Sequence, residues 1–218
     1  MLYVLDIDDT LYLERDYVRS GFHFIGDWLK KNLHIKDFFK RAWHLFENGV
    51  QENIFDIVLH DIGIFDDNLV KYFVKLYRTH CPDISLQSDA KEFLTSQRRE
   101  DLAIISDGYS CAQWAKIWAL NLEQYVDRIV ITDDFGEEFW KPSPQAYLLL
   151  QDGRTPDECV YIGDNPLKDF DAPAKLGWAS SIRIRREGSL FSAIDTPKTC
   201  TEIKSLTENG LLTGNIMN

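Results

Sequence analysis

Three short apolar runs, each closed by a polar residue, constrain the fold of this chain more than any other feature. Leu2-Tyr3-Val4-Leu5 stops at Asp6, Leu102-Ala103-Ile104-Ile105 stops at Ser106, and Cys159-Val160-Tyr161-Ile162-Gly163 stops at Asp164. Runs of this length without polar alternation suit strands buried on both faces of a parallel sheet. Helical periodicity lies around them, over residues 90–94, 112–120, 144–151 and 168–176, the last stopped by Gly177. Strand–helix alternation of this kind implies right-handed βαβ units and an α/β fold. Ligands of open α/β sheets bind beyond the carboxyl ends of the strands, so Asp6, Ser106 and Asp164 are expected along one sheet edge.

The stretch between the first two runs has another character. Val18, Phe22, Ile25, Leu29 and Leu33 recur every three or four residues, and so do Phe39, Ala42, Trp43 and Phe46. Ile54, Val58, Leu59 and Ile62 make a third stripe, and Leu69, Val70, Phe73, Val74 and Tyr77 a fourth. These spacings predict four amphipathic helices packed as an antiparallel bundle, inserted into the α/β core. The division expected is a core of residues 1–13 and 86–218 and a helical insertion of residues 14–85. The aromatics Phe22, Phe24, Trp28, Phe38, Phe39, Trp43 and Phe46 are expected in the bundle core rather than on a ligand platform. Residues 181–185 and 201–203 suggest further strands, and residues 210–218 a loose tail.

Charge limits the partners. With 24 Lys and Arg against 35 Asp and Glu, the 218 residues carry a formal net charge of −11. Nucleic acid and anionic membrane both select a cationic face, so neither is an expected partner. The four cysteines, Cys81, Cys111, Cys159 and Cys200, form no CxxC pair and have no His at zinc-ligand spacing. So few thiols in so long a chain fit a reducing compartment. The apolar opening runs straight into Asp6, unlike a signal peptide, and no apolar run is long enough to span a bilayer. A cytoplasmic location is therefore expected.

The chemistry lies in the polar residues that close the runs. In Asp6-Ile7-Asp8-Asp9-Thr10, a chain that leaves the sheet at Asp6 can turn both Asp6 and Asp8 towards one pocket. A carboxylate nucleophile beside a second carboxylate suits phosphoryl transfer, the first attacking phosphorus and the second moving a proton. The same acidic strand end can also simply turn the chain or cap a helix. Gly163-Asp164-Asn165-Pro166-Leu167-Lys168-Asp169 adds two more carboxylates at the same edge. Several carboxylates together raise one another's pKa unless a cation sits among them, and hard oxygen donors without His or Cys point to Mg²⁺. Asp169 could instead be an acid favoured by a helix N-terminus. Ser106-Asp107-Gly108 offers a hydroxyl and turn amides to phosphate oxygens, though it also reads as an ordinary strand-to-helix turn. Lys141, in the rigid segment Trp140-Lys141-Pro142-Ser143-Pro144, could offset charge on the phosphoryl group or on Asp6.

Taken in order, Asp6-x-Asp8-x-Thr10, Ser106, Lys141 and Gly163-Asp164-x-x-x-x-Asp169 resemble the four sequence motifs of the haloacid dehalogenase (HAD) superfamily, from residue 3 to about residue 178. The helical insertion resembles that superfamily's C1-type cap. Ser106-Asp107-Gly108-Tyr109 with Gln113, Lys116, Ala119 and Leu120 is most similar to the branch of house-cleaning nucleotidases and phosphoglycolate-type phosphatases. The resemblance implies a Rossmann-like core, with Asp6 as a nucleophile that forms an aspartyl-phosphate and Asp8 as general acid/base. It implies Mg²⁺ held by Asp6, the main-chain carbonyl of Asp8 and Asp164, with Asp169 as a ligand or a support behind the ligands. Ser106 would bind phosphoryl oxygens together with Asp107 and Gly108, Lys141 would steady Asp6 and the transferring group, and Thr10 would support the loop. Members that cleave carbon–halogen bonds lack a carboxylate at the position of Asp8, so a phosphatase is implied rather than a dehalogenase. The chain departs from the family at Asp171-Ala172-Pro173, where a small-residue pair is usual. Pro173 tolerates only a helix start, so the helix is expected to begin late, and Asp171 becomes a rival for the role of Asp169.

Tyr12, Arg15, Arg19 and His23, near the start of the insertion, are candidate substrate contacts, or else ordinary helix residues. The resemblance to a capped family also implies a sheltered site, which would favour small phosphorylated metabolites over phosphoproteins. A phosphomutase that returns the phosphoryl group to its product stays open, as does a non-catalytic module of the same fold. The latter predicts loss of the nucleophile, the acid/base or the metal carboxylates, and all of these are present. No residue speaks to the oligomeric state.

Overall fold

A computed structural model of the chain describes residues 1–208 and 211. Apart from Leu211, the 210–218 segment expected to be loose lies outside the described residues. The chain divides into two compact units, Met1–Arg15 with Ile84–Asn218, and Asp16–Asp83.

The first unit is built on one sheet. Its strands among the described residues are β1 (Leu2–Leu5), β2 (Leu102–Ser106), β3 (Arg128–Ile131), β4 (Cys159–Gly163), β5 (Ser180–Ile184) and β6 (Thr201–Ile203). All pair in parallel, in the order β3-β2-β1-β4-β5-β6. This is the α/β fold that the apolar runs implied, and the Rossmann-like core that the family resemblance implied. Every residue of β1, β2 and β4 is buried, which is why those runs carry no polar alternation. Helices α5 (Ser88–Ser96), α6 (Ser110–Ala119), α7 (Gln145–Gln151) and α8 (Asp171–Lys175) belong to this unit. Tyr147, Leu150, Phe170 and Trp178 pack with Leu2, Val4, Ala103 and Tyr161 of the central strands.

One element differs from the sequence reading. β3 was not foreseen, because its three apolar residues follow Asp127 and Arg128 and it lies at the sheet edge, where burial is incomplete. As Pro173 led one to expect, the helix in the 168–176 pattern begins late: α8 starts at Asp171 with Pro173 in its first turn.

The second unit holds most of α1 (Glu14–Leu33), with α2 (Phe38–Glu47), α3 (Ile54–Asp61) and α4 (Asp67–Thr79), matching the four predicted stripes. Phe22, Ile25 and Leu29 pack with Phe38, Ala42, Val58, Leu59 and Phe73 in its core. Phe24 is the exception among the aromatics expected there, since it is 44% exposed. Asp66 caps α4 by accepting from the Leu69 amide at 2.9 Å. No helix among the described residues is long and apolar enough to cross a membrane.

Candidate active site

The chain moves from β1 to one side, through β2 and β3, then crosses back to β4 on the other flank of β1. That reversal of strand order is where open α/β sheets bind their ligands. Asp6 follows β1 there, with its amide bonded to the Ile162 carbonyl at 2.9 Å, and Asp164 follows β4. Ser106 closes β2 next to β1.

Lys141 reaches this edge from a segment far away in sequence. Its Nζ donates to Asp6 Oδ1 at 2.5 Å, to Tyr161 Oη at 2.8 Å and to Asp169 Oδ1 at 3.0 Å. An ammonium has three donors, and all three are used. Burial works against the charge on Lys141, but Asp169 and Asp6 outweigh it and hold the group well above the usual lysine range. Burial pushes the Asp6 carboxyl up to about 7 against the pull of Lys141, and Asp169 and Asp8 add to the rise. The second oxygen of Asp169 accepts from the Asn165 amide at 3.0 Å, so its carboxyl is fixed on both sides.

Asp8 sits in a separate cluster of donors. Lys116 Nζ lies 2.7 Å from each of its oxygens, Tyr12 Oη donates to Oδ1, and Gln113 Nε2 reaches Oδ2 at 3.5 Å. Burial raises the Asp8 carboxyl, but the Lys116 charge and these bonds prevail and keep it below its usual value. Gln113 Oε1 accepts from Ser106 Oγ at 2.7 Å, tying the end of β2 to the same cluster. Glu14 is nearby in charge terms: burial, then Asp8, push its carboxyl up to about 8. The loop is anchored from the C-terminal side, because the Thr10 carbonyl accepts from Arg186 Nε and Nη2 at 3.1 and 2.8 Å. Thr10 thus supports the loop through its main chain, while its buried hydroxyl has no partner among the described residues.

Asp107 was expected among the phosphate-binding residues, yet its carboxylate is committed elsewhere. It accepts from Thr132 Oγ1 at 2.7 Å, the Lys141 amide at 3.1 Å and Lys168 Nζ at 2.7 Å. What remains for a ligand is its main chain. Gly108 has a φ of +146°, and a Cβ there would lie 2.7 Å from Gln113 Nε2, so the turn requires glycine.

Asp164 tests the expectation of a cation. It is 5% exposed, and burial followed by Asp6, Asp169, Asp9 and Glu14 pushes its carboxyl up to about 10. Among the described residues no salt-bridge partner stands against it; its main-chain oxygen accepts from Arg183 Nε at 2.9 Å. A buried carboxyl that cannot keep its charge without a cation beside it, offering hard oxygen donors, fits a divalent cation. Among the described residues, however, no three His, Cys, Asp or Glu side chains gather closely enough to hold a metal by themselves. Asp6 and Asp164 therefore fit as side-chain donors that need a main-chain oxygen beside them. Asp169 is drawn to Lys141 instead. Asp171 is no rival, since its side chain is 73% exposed and pairs with Lys175 at 3.9 Å.

Of the candidate substrate contacts, Tyr12 is fully buried on Asp8, and the Arg15 guanidinium lies beside Gly188. Arg19 and His23 belong to the helical unit, both are exposed, and the His23 ring stacks on Phe39 at 3.6 Å. Reasoning from sequence assigned no site role to Lys116, Gln113, Tyr161 or Lys168. Gln113 and Lys116, polar residues three apart on a helix and both buried, leave a legible signal. Tyr161, inside an apolar run, leaves none.

Comparison with known proteins identifies the family. The family model of the haloacid dehalogenase-like hydrolases matches residues 3–181. The glyceraldehyde 3-phosphate phosphatase of Methanopyrus kandleri is 26% identical over 199 residues, spanning 84% of this chain and 83% of its own. The N-acylneuraminate-9-phosphatase of Rattus norvegicus is 30% identical over 115 residues, 51% of this chain and 46% of its own. In structure, the HAD-hydrolase YfnB of Bacillus subtilis, described as bound to magnesium, superposes with a TM-score of 0.66 at 17% identity, covering 96% of both chains. The L-2-haloacid dehalogenase of Xanthobacter autotrophicus gives 0.62 at 15% identity over 100% of both, a likeness of fold. The chain belongs to the haloacid dehalogenase-like hydrolases.

Proposed function

We propose that this HAD-type phosphoric monoester hydrolase cleaves a small phosphorylated metabolite in two steps, through an aspartyl-phosphate on Asp6. One observation carries the reading: Asp6, braced by Lys141 at 2.5 Å, and Asp8, two residues on, follow the strand beside the reversal of strand order. Asp6 attacks phosphorus and the bond to the leaving oxygen breaks, while Asp8, which takes up a proton from solvent as the negatively charged substrate enters beside it, passes that proton to the leaving oxygen. Asp8 then takes a proton from the water that attacks the aspartyl-phosphate, and inorganic phosphate leaves with Asp6 regenerated. Ser106 and the main-chain amides of Asp107 and Gly108 hold the phosphoryl oxygens, and Lys141 offsets their charge. Asp169 holds Lys141 in place.

Asp6, Asp164 and the main-chain carbonyl of Asp8 are the donors that would hold Mg²⁺, which when bound would offset the negative charge of the phosphoryl group. The helical unit takes the part of the cap, which favours small substrates. Relatives named for glyceraldehyde 3-phosphate and for N-acylneuraminate 9-phosphate support a sugar-type phosphate. The carboxylate of Asp8 speaks against carbon–halogen chemistry, despite dehalogenases of like fold.

The test is phosphate release from a panel of sugar phosphates, nucleoside monophosphates and phosphoglycolate, with Mg²⁺ and after EDTA. Steady, magnesium-dependent release from a few members, without a bisphosphate activator, is expected and excludes a mutase. Folded protein that releases phosphate from none of them overturns the reading, and release that survives thorough chelation removes the metal from it.

A further inference from the structure

Lys116 is buried, cationic, and separate from the lysine that braces the nucleophile. It is 3% exposed and Gln113 4%, and they stand three residues apart on α6, so both side chains leave the helix on one face. An ammonium buried there is costly unless it is paired. The pair it makes is with both oxygens of Asp8, at 2.7 Å each. Tyr12 Oη adds a donor to Oδ1, while the contact from Gln113 to Oδ2 is long, at 3.5 Å. A carboxylate oxygen has about two lone-pair sites. Oδ1 is thus filled by Lys116 and Tyr12, whereas Oδ2 takes one short bond, from Lys116, beside the long Gln113 contact, and so keeps a site at which to exchange a proton. Gln113 meanwhile accepts from Ser106 at 2.7 Å, so one side chain spans the phosphoryl-binding hydroxyl and the proton-transfer group.

We propose that Lys116 is a positioning residue of the reaction, which with Tyr12 and Gln113 locks the side chain of Asp8 so that Oδ2 faces the leaving oxygen. This rests on the reading of Asp8 as the general acid/base. Proton transfer requires the two heavy atoms to approach to about 2.6–3.2 Å, and an aspartate free to turn about two bonds spends little time there. The clamp matters most where the leaving oxygen depends most on being protonated.

That dependence supplies the test. The value of kcat/KM is measured for benzyl phosphate, whose alkoxide leaves only when protonated, and for 4-nitrophenyl phosphate, whose phenolate leaves without help. In Lys116→Met, kcat/KM for benzyl phosphate is expected to fall roughly tenfold or more beyond any fall for 4-nitrophenyl phosphate, and Lys116→Arg to recover part of the difference. Should Lys116→Met fail to fold by circular dichroism, Lys116→Arg against wild type carries the same comparison, with a smaller selective loss expected. An equal fall for both esters, or none, overturns the clamp while leaving the phosphatase reading intact. Wild-type protein silent on both esters overturns the phosphatase reading, and the clamp with it.

Discussion

The ammonium of Lys141 lies 2.5 Å from Asp6 Oδ1, although 135 residues separate the two in sequence. The contact holds together two carboxylates, Asp6 and Asp169, that would otherwise face each other buried and unneutralised. Lys141→Met is therefore expected to destabilise the protein by about 3–5 kcal/mol, as loss of one partner from a buried pair does, and to abolish phosphate release. Urea unfolding of the variant beside wild type checks the first effect. Unchanged stability would show that the brace carries no structural load.

Asp6→Asn keeps the shape of the side chain but cannot attack phosphorus, so phosphate release should fall roughly 10³-fold or more with the fold retained. Asp8→Asn should cost about 10²–10⁴-fold, the contribution of one proton-transfer group. Residual activity in Asp6→Asn above that of Asp8→Asn would reverse the two assignments.

The parts of the site that lie on buried strands were legible in the sequence. Asp6, Ser106 and Asp164 each end an uninterrupted apolar run, and a parallel sheet buried on both faces delivers such ends to one edge. Lys141 had no such marker, because it arrives on a segment between short helical turns, and its motif order rather than periodicity singled it out. Tyr161 was silent, since a tyrosine with its hydroxyl on a lysine and one with its hydroxyl in water read alike inside an apolar run. The commitment of the Asp107 carboxylate to Lys168, Thr132 and the Lys141 amide depends on three segments meeting, which no local spacing encodes. β3 was missed for a related reason: at a sheet edge, partial burial relaxes the hydrophobic pattern that marks the inner strands.

Gly163 is fixed by space rather than by backbone angle. A Cβ there would lie 2.6 Å from Asp169 Oδ2 and 2.7 Å from Tyr161 Oη, the two groups that share Lys141 with Asp6. Gly163→Ala should displace that brace and lower kcat/KM by roughly 10²-fold, the cost of a misplacement near 1 Å. Activity within a factor of two of wild type would show that the neighbours give way freely.

Acid sensitivity should trace partly to Asp89. Burial raises its carboxyl, but the Leu206 amide at 2.8 Å and the two-pronged Arg186 contact at 3.0 and 2.9 Å prevail and lower it. A folded-state pKa below the unfolded one stabilises above the unfolded value near 4, and that stability is lost as pH falls through the folded value. Asp89→Asn should therefore be about 1–3 kcal/mol less stable than wild type at pH 7, with the deficit shrinking steadily as the pH falls below about 4. Urea midpoints across that range check it, and a constant deficit at every pH would point to lost packing instead.

Asp164 sets function against stability. Its carboxyl, pushed up to about 10 by burial and by Asp6, Asp169, Asp9 and Glu14, is a cost to the metal-free fold. Asp164→Asn keeps the shape and removes the proton uptake that folding forces on this carboxyl near neutral pH, so the metal-free variant should melt higher than metal-free wild type. A gain of 1 kcal/mol corresponds to about 2–4 °C for a chain of this size. Mg²⁺ binds only the folded state in this account, so it should raise the melting temperature of wild type in a concentration-dependent way and leave Asp164→Asn nearly unmoved. Activity of the variant should be lost throughout, separating the two effects of one carboxylate. A metal-free variant that melts lower than wild type would mean that Asp164 has a stabilising partner in the fold, and an undiminished Mg²⁺ shift would place the cation elsewhere.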